Sequence, residues 1–213
     1  MAKGEFDSMK NITISKRNTK IGKIASLSLP TKKTCIGMTE WCGENCYAER
    51  AEIQYPAVLP SYVRNLEASR LSNFARMTTM EIQALPKSYN LFRIHVAGEF
   101  YSVQYIKSWI AIVKANPQMA FYSYTRSWRV PHLVPYLKKL ASLANMSLLC
   151  STDIDTFNAG ESVPQGMREA YAGDIQPDKS VLCLVQSKKS PSCEACKLCT
   201  KPGLKSKIYF STH

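Results

Sequence analysis

Three cysteines in the first quarter of this chain have a number and spacing that indicate an iron–sulfur cluster with an open position. Cys35, Cys42 and Cys46 follow a short apolar segment in the pattern C-x6-C-x3-C. Thiolates are soft ligands that suit iron–sulfur clusters or zinc. A cubane cluster has four irons, so three cysteine ligands leave one iron free to bind another molecule. We therefore predict a [4Fe–4S] cluster at these three residues.

A second cysteine group lies toward the end of the chain, where Cys183, Cys193, Cys196 and Cys199 follow the pattern C-x9-C-x2-C-x2-C. The C-x2-C-x2-C run resembles the ligation of bacterial ferredoxins, and Cys183 would be the fourth ligand of a second [4Fe–4S] cluster. A four-cysteine zinc site that pins the tail to the domain is the alternative. The remaining Cys150 lies in the apolar "SLLC" and is predicted to be a small buried hydrophobe.

Strand-like and helix-like patterns alternate between these two groups. Because parallel neighbours need a crossover that a helix supplies, this alternation predicts an α/β fold with a parallel sheet. We expect five to six strands in a partial, TIM-barrel-like (β/α) barrel with a cysteine-rich C-terminal extension. The predicted strands are residues 23–30, 91–100, 119–125, 146–153 and, as the last strand, 180–186.

The length of 213 residues and a hydrophobic content of 45% fit one domain with a small extension. Residues 1–8 precede a second possible start at Met9 and are expected to be a cloning remnant. Residues 9–186 are predicted to form the barrel-like domain with the three-cysteine loop. Residues 187–213 are predicted to form a metal-binding tail packed on that domain.

Polar residues follow the predicted strands at the ends where β/α barrels carry their sites. Arg126 follows the third strand and is predicted to pair with a ligand carboxylate or phosphate, or to form a salt bridge with a neighbouring helix. Ser151 and Asp153 close the fourth strand, where a ribose or carboxylate contact would lie, although Asp153 could instead cap the following turn. His95 alternates with Arg93, so it is either a proton carrier inside the barrel or a buried core histidine.

Several segments together resemble one family of phage proteins, the gene product 88 family. They are "NTKIGKIASLSLP", "TCIGMTEWCGENCYAE", "FRIHVAGEFYSVQYIKSW", "YSYTRSW" and the cysteine-rich tail. The resemblance covers nearly the whole chain and implies a phage origin. The cysteine pattern is also similar to that of phage proteins that look like divergent radical S-adenosylmethionine enzymes, whose usual motif is C-x3-C-x2-C.

The second resemblance implies a cofactor and its contacts. In the radical S-adenosylmethionine superfamily, a Gly-Glu pair at the end of the second strand binds the amino group of S-adenosylmethionine, and Gly98 and Glu99 match that position. The open iron would then bind S-adenosylmethionine, and an electron from the cluster would cleave its sulfonium. Tyr47, beside Cys46, would contact the adenine or shield the cluster. An electron donor such as a flavodoxin or ferredoxin would be needed.

The formal net charge of +12 indicates an anionic partner. Residues 9–34 and 179–213 each contain seven Lys or Arg, so half of the basic residues lie close to the two cysteine groups in sequence. A basic surface concentrates anionic substrates or nucleic acid, and a merely solvated surface is the alternative. The longest apolar run is shorter than a membrane span, so no membrane association and a cytoplasmic location, the host cytoplasm for a phage protein, are expected.

Two functions remain open from the sequence. The first is a radical S-adenosylmethionine enzyme acting on an unidentified small-molecule or anionic substrate, with catalytic residues that the sequence does not identify. The second is a non-enzymatic iron–sulfur or zinc protein that binds nucleic acid or senses redox state. No phosphate-binding loop, nucleophile elbow or H-E-x-x-H helix is present, which argues against nucleotide hydrolysis, serine hydrolysis and zinc proteolysis.

Overall fold

Seven parallel strands form one open sheet in the order β1-β2-β3-β4-β5-β7-β6. The structure, a computed structural model, describes residues 12–18 and 21–212, so segment 1–8 and His213 lie outside the described residues. The predicted α/β fold with a parallel sheet is confirmed. The described strands number seven instead of the five to six expected, and the sheet is not closed, so the partial barrel is not confirmed. The strands are β1 (Ala25–Leu27), β2 (Leu91–Ile94), β3 (Ala120–Thr125), β4 (Met146–Thr152), β5 (Arg168–Gly173), β6 (Ser180–Leu182) and β7 (Lys207–Ser211).

Helices supply most of the connections between these strands. Ser102 accepts a hydrogen bond from the amide of Tyr105 and so caps the start of the fifth helix. The helices are α1 (Glu40–Glu44), α2 (Tyr47–Gln54), α3 (Val58–Ala68), α4 (Phe74–Gln83), α5 (Val103–Ala115), α6 (Val134–Ala141), α7 (Ile154–Asn158) and α8 (Cys193–Cys196).

The side chains of each strand alternate between two faces of the sheet. On the helix face, Phe92, Phe121 and Leu148 pack against α3 to α6 in the main hydrophobic core. On the opposite face, which we call the tail face, Tyr122 and Leu149 pack against residues of the segment 183–206. We call that segment, which connects β6 to β7, the cysteine tail. The tail face therefore has a covering of cysteine-bearing loop instead of long helices.

Cys150 lies on the helix face and has no exposed surface. Its thiol contacts the sulfur of Met167 at 3.8 Å. The interpretation of Cys150 as a small buried hydrophobe is confirmed, and the sheet separates this residue from Cys193 and Cys199 on the tail face.

Two strands escaped the sequence analysis, and one of them changes the position of the cysteine tail. The segment predicted as the last strand, 180–186, contains only the short β6, which pairs with β7. Residues 207–211 return to form β7 between β5 and β6, so the tail is a crossover within the sheet instead of an appended extension. β5 was missed because its sequence, REAYAG, mixes charged and small residues and lacks the bulky pattern of a buried strand.

His95 follows β2 and has a left-handed backbone conformation with φ of 64°. This conformation ends the alternation, so the imidazole turns to the helix side and packs against Phe100, Tyr105 and Trp109. Its Nε2 lies 2.9 Å from the hydroxyl of Tyr105. The buried core histidine was the correct alternative, and the orientation into the barrel as a proton carrier was wrong.

Burial of His95, with a smaller contribution from the charge of Arg93, lowers its pKa from 6.5 to about 3. The unfolded chain therefore binds a proton that the folded chain rejects, and stability falls as the pH drops from 6.5 toward 3. We expect the wild type to lose about 2 kcal/mol between pH 8 and pH 5 through this group. His95→Asn, which tolerates the left-handed backbone, should flatten the pH dependence in urea unfolding. The same change at the exposed His132 should leave it intact, and an unchanged slope in His95→Asn would contradict the assignment.

Candidate functional site

Both cysteine groups line one cavity at the carboxyl ends of the strands, with a volume of about 460 Å³. The three-cysteine loop reaches it from the end of β1, and the cysteine tail reaches it across the tail face. We call it the cysteine cavity. Of the cysteines, Cys35, Cys42, Cys46, Cys183, Cys193, Cys196 and Cys199 line it. The structure thus brings together two groups that are about 140 residues apart in the chain.

The thiols share the cavity without being gathered around one point. Within residues 12–18 and 21–212, no three side chains of the types His, Cys, Asp or Glu are grouped so that they could hold a metal ion. Burial, and then the charge of Glu99, raises the pKa of Cys35 to about 12, and burial also raises the pKa of Cys42. Metal binding therefore requires deprotonation of these thiols and movement of their side chains.

The three-cysteine loop is attached to the sheet through Thr39, which caps α1. Its hydroxyl accepts a hydrogen bond from the amide of Cys42 at 3.1 Å and donates one to the carboxylate of Asp153 at 2.6 Å. The amide of Trp41 donates to Asp155 at 2.8 Å. Two carboxylates after β4 therefore hold the turn that contains the middle cysteine.

Asp153 is fully buried and lies outside the lining of the cysteine cavity. One carboxylate oxygen accepts hydrogen bonds from the amides of Asp155 and Thr156, so the capping alternative for this residue is confirmed. The other oxygen accepts from Thr39 and forms an ion pair with Arg126, 2.6 Å from its Nη1. Asp153 is therefore a positioning residue for the loop, in contrast to the ligand contact that was predicted for it.

Arg126 does line the cavity, and its guanidinium is already paired with Asp153. Its backbone also approaches the three-cysteine loop closely. A Cβ at Gly37 would clash with the carbonyl oxygen of Arg126. A second arginine, Arg129, donates to the carbonyls of Gly37 and Met38 at 2.9 and 3.2 Å and forms a two-pronged ion pair with Glu161. Sequence reasoning missed Gly37, Thr39 and Arg129, although a Thr before a short acidic helix start is a recognisable cap signal.

Gly98 and Glu99 line the cavity after β2, as predicted. The Glu99 carboxylate is buried and accepts hydrogen bonds from Thr125 Oγ1 and the Arg126 amide, both at 2.6 Å, and from Ser127 Oγ at 3.1 Å. Burial raises the pKa of Glu99, and these hydrogen bonds oppose that rise. The carboxylate joins the end of β2 to the end of β3, and its contact with S-adenosylmethionine stays a prediction.

Tyr47 and Arg93 contact each other at the mouth of the cavity. The Tyr47 hydroxyl donates to the carbonyl of Val96 at 2.8 Å and accepts from Arg93 at 3.1 Å. The guanidinium of Arg93 lies over the rings of Tyr122 and Tyr124, with its central carbon 5.9 and 5.2 Å from the ring centres. Arg93 was considered only as a neighbour of His95 in the sequence, since nothing local shows which face a strand residue takes.

Ser151, near the end of β4, lines the cavity, and its contact with a ribose or a carboxylate stays a prediction. Its carbonyl accepts a hydrogen bond from the indole nitrogen of Trp128 at 2.9 Å, so this tryptophan holds the backbone of the cavity lining at Ser151 in place. Trp41 lines the cavity itself. Five of the six predicted cofactor-contact residues therefore lie at the cavity: Tyr47, Gly98, Glu99, Arg126 and Ser151.

These features define a parallel α/β protein whose site is a cavity lined by two cysteine groups at the carboxyl ends of the strands. A family model described as Gene product 88 matches residues 7–202, and the chain belongs to this family. The Gene 88 protein of Mycobacterium phage L5 is 27% identical over 220 residues, covering 92% of this chain and 90% of the relative. The Gene 88 protein of Mycobacterium phage D29 is 28% identical over 222 residues, with the same coverage.

No solved structure shows a significant match to this chain. Among the helices of the described residues, none is both long and apolar enough to cross a membrane. The predicted resemblance to the phage family is confirmed by the family match and by the two mycobacteriophage relatives.

Proposed function

We propose that this phage-family protein is an iron–sulfur protein of the radical S-adenosylmethionine type. In this proposal Cys35, Cys42 and Cys46 hold a [4Fe–4S] cluster with one open iron, and the four cysteines of the tail hold a second cluster. The observation that carries the proposal is the convergence of all seven cysteines on one cavity of about 460 Å³. That volume lies within the range of cavities that bind cofactors and small molecules.

The donor set and its surroundings fit an open-site cluster. The three thiols lie on a loop that Asp153 and Arg129 attach to the sheet, which limits how far the ligands can move when a cluster binds. Gly98 and Glu99 follow the next strand and line the same cavity. In open parallel α/β sheets, ligands bind at the carboxyl ends of the strands, which is where this cavity lies.

Within this proposal, S-adenosylmethionine supplies one-electron chemistry by reductive cleavage of its sulfonium. The protein would bind and orient it. Tyr47 and Trp41 would cover the open iron and exclude water, while Ser151 and the Gly98–Glu99 turn would contact the cofactor. The positive charge of the chain favours an anionic substrate and an acidic electron-donor protein, with flavodoxin or ferredoxin as the donor class.

Exposed lysines around the cysteine tail favour a second candidate function. Lys188, Lys189, Lys201 and Lys205 are exposed and, within the described residues, form no ion pair. A zinc site or a fully ligated cluster could stabilise the tail so that these lysines bind nucleic acid. In that case the chain would be a binding or redox-sensing protein without an open iron.

Metal analysis of protein purified without oxygen separates the two functions. We expect about eight irons and matching sulfide per chain, the content of two cubanes. The electron paramagnetic resonance spectrum of the reduced protein should change when S-adenosylmethionine is added. Zinc in place of iron, or an iron spectrum that does not change when S-adenosylmethionine is added, would favour the second function, a nucleic-acid-binding or redox-sensing protein.

Replacing Cys35, Cys42 and Cys46 together by Ala should remove about half of the iron, because one of two four-iron clusters loses its ligands. The spectral response to S-adenosylmethionine should disappear with it. Cys150→Ala is the matched control, since this thiol lies on the helix face, and its iron content should equal that of the wild type. Full iron content in the triple variant would overturn the assignment of the three ligands.

A further inference from the structure

Two side chains beneath the cysteine tail have buried hydrogen-bond donors without an acceptor. They are Nη2 of Arg168, on β5, and the hydroxyl of Tyr122, on β3, and neither has a partner within the part of the chain that the structure describes. A buried donor left without a partner costs about 1–3 kcal/mol. Two such groups on the same face of one sheet suggest that an acceptor is bound there in the working protein.

The cysteine tail is the structure that these donors face. Arg168 donates from Nε to the carbonyl of Ser206 at 2.8 Å and from Nη1 to the carbonyl of Leu198 at 3.1 Å, which places its guanidinium beside Cys199. Tyr122 packs against Cys193 and Cys199. The sulfur atoms of the tail therefore lie on the side that these donors face, and they could accept the hydrogen bonds once they bind a metal as thiolates.

A third side chain with a hydroxyl donor lies beside the same ligands. Tyr124, on β3, packs in one cluster with Leu198 and Cys199 on the tail face. Side chains with hydrogen-bond donors on β3 and β5 therefore lie on the side of the tail that faces the sheet.

The charges on the tail face also indicate that a negatively charged group binds there. Arg168 is buried under the tail and Arg93 is half-buried at the mouth of the cavity, and within the described residues neither forms an ion pair with a carboxylate. Burying a cation without a counter-ion is costly. Four thiolates around a divalent metal or a doubly charged cluster core leave a net charge of about −2, because four negative charges outweigh two positive ones. A loaded tail site would supply the counter-charge that both arginines lack.

We propose that Arg168, Tyr122 and Tyr124 form a hydrogen-bonding wall for the tail metal site and donate to its sulfur atoms, with Arg93 adding positive charge from its position over the rings of Tyr122 and Tyr124. The inference rests on the proposed role of Cys183, Cys193, Cys196 and Cys199 as ligands. It assigns to the sheet a role that is independent of which metal binds and of S-adenosylmethionine. These residues act through the ligands and do not bind the metal themselves.

The test measures metal affinity at the tail alone. The full chain with Cys35, Cys42 and Cys46 replaced by Ala is prepared without metal and titrated with Zn²⁺ against a chelator of known affinity. Substitutions of groups that orient metal ligands typically weaken binding 10–100-fold, and we expect a loss in about that range for Arg168→Met. Arg76→Met, an exposed arginine on α4, is the matched control and should leave the affinity unchanged.

Tyr122→Phe separates a role toward the metal from a role in the fold. The change removes only the hydroxyl that has no partner in the metal-free chain, so it should leave thermal stability without metal unchanged or raise it. The same change should weaken Zn²⁺ binding, because the loaded site loses a donor. A merely structural hydroxyl would move both measurements in the same direction, and that result would overturn the proposal.

The failures of the two proposals can be told apart. If the parent chain binds no Zn²⁺ at the tail, the ligand assignment is wrong and both fall. If the parent binds Zn²⁺ and neither Arg168→Met nor Tyr122→Phe changes the affinity, only the hydrogen-bonding wall is overturned. Loading the same variants with iron and measuring the reduction potential gives a second readout, since loss of a donor or a positive charge should lower the potential.

Discussion

Replacing Asp153 by Ala is expected to lower the free energy of unfolding by about 3–5 kcal/mol, the range for breaking a buried ion pair by removing one partner. The change leaves Arg126, which is also buried, without its counter-ion. It also removes the cap of α7 and the acceptor for Thr39, which attaches the turn of Cys42. Urea unfolding followed by circular dichroism measures the loss. We expect the thiols of the three-cysteine loop to react faster with an alkylating reagent in the folded variant.

Asp178→Ala provides the control, because it removes the same charge from an exposed position and should change neither stability nor thiol reactivity. A double-mutant cycle with Arg126→Met measures the coupling between the two charges. If the costs of Asp153→Ala and Arg126→Met simply add, the ion pair does not contribute as proposed. The loop would then be held by the hydrogen bonds that involve Thr39, Trp41 and Arg129.

The second large effect is expected at Gly98, where Ala should cost more than about 3 kcal/mol by combining a left-handed backbone with a steric clash. Its φ is 83°, and a Cβ at this position would lie 2.6 Å from the Cβ of Leu29 and 2.7 Å from its carbonyl oxygen. The clash is with backbone as well as side chain, so relief requires the turn after β2 to move away from β1. That movement would carry Glu99 away from the end of β3, and S-adenosylmethionine binding should be lost with it.

Gly166→Ala isolates the backbone contribution. Gly166 has nearly the same φ, 85°, and a Cβ there would meet no atom within 4 Å. We expect this variant to lose only the cost of the left-handed conformation, about 1–2 kcal/mol. The difference between the two variants in thermal unfolding then measures the clash at Leu29. Equal losses at the two glycines would show that the close approach of β1 is relieved without penalty.

The first four strands could be predicted from the sequence because they are buried on both faces. β3 and β4 have the sequences AFYSYT and MSLLCST, short and mostly apolar runs that are typical of strands buried on both faces. β5 could not be predicted in this way, since Ala170 and Ala172 face the cavity beneath the tail and must be small. β7 follows a cysteine-rich loop whose path across the sheet no local pattern reveals.

The candidate site, like the fold, could be predicted only in part. The spacing of the cysteines was visible in the sequence, whereas their convergence on one cavity depends on strand order and on the insertion of β7. The link from Thr39 to Asp153 joins residues separated by 114 positions. Such contacts follow from the packing of whole elements, so a single sequence shows the donors and acceptors without showing which of them meet.

The reversal at His95 has a different origin. Strand alternation predicted the same face as Arg93, but one left-handed residue is enough to turn the side chain to the other side. Apart from glycine, Asn, Asp and His are the residues that most often take this conformation. A histidine at position 95 therefore allows a left-handed backbone, but the sequence does not predict it.

The insertion of β7 between β5 and β6 links metal delivery to the timing of chain synthesis. β6 has β7 as its described neighbour in the sheet, so it cannot join the sheet until residues 207–211 have left the ribosome. When β7 pairs with β5 and β6, the cysteine tail must already lie across the tail face, because β7 follows the tail directly. Pairings between distant segments form late in folding. Sulfur and metal donors would therefore meet the tail most easily on a nascent chain whose sheet is still incomplete.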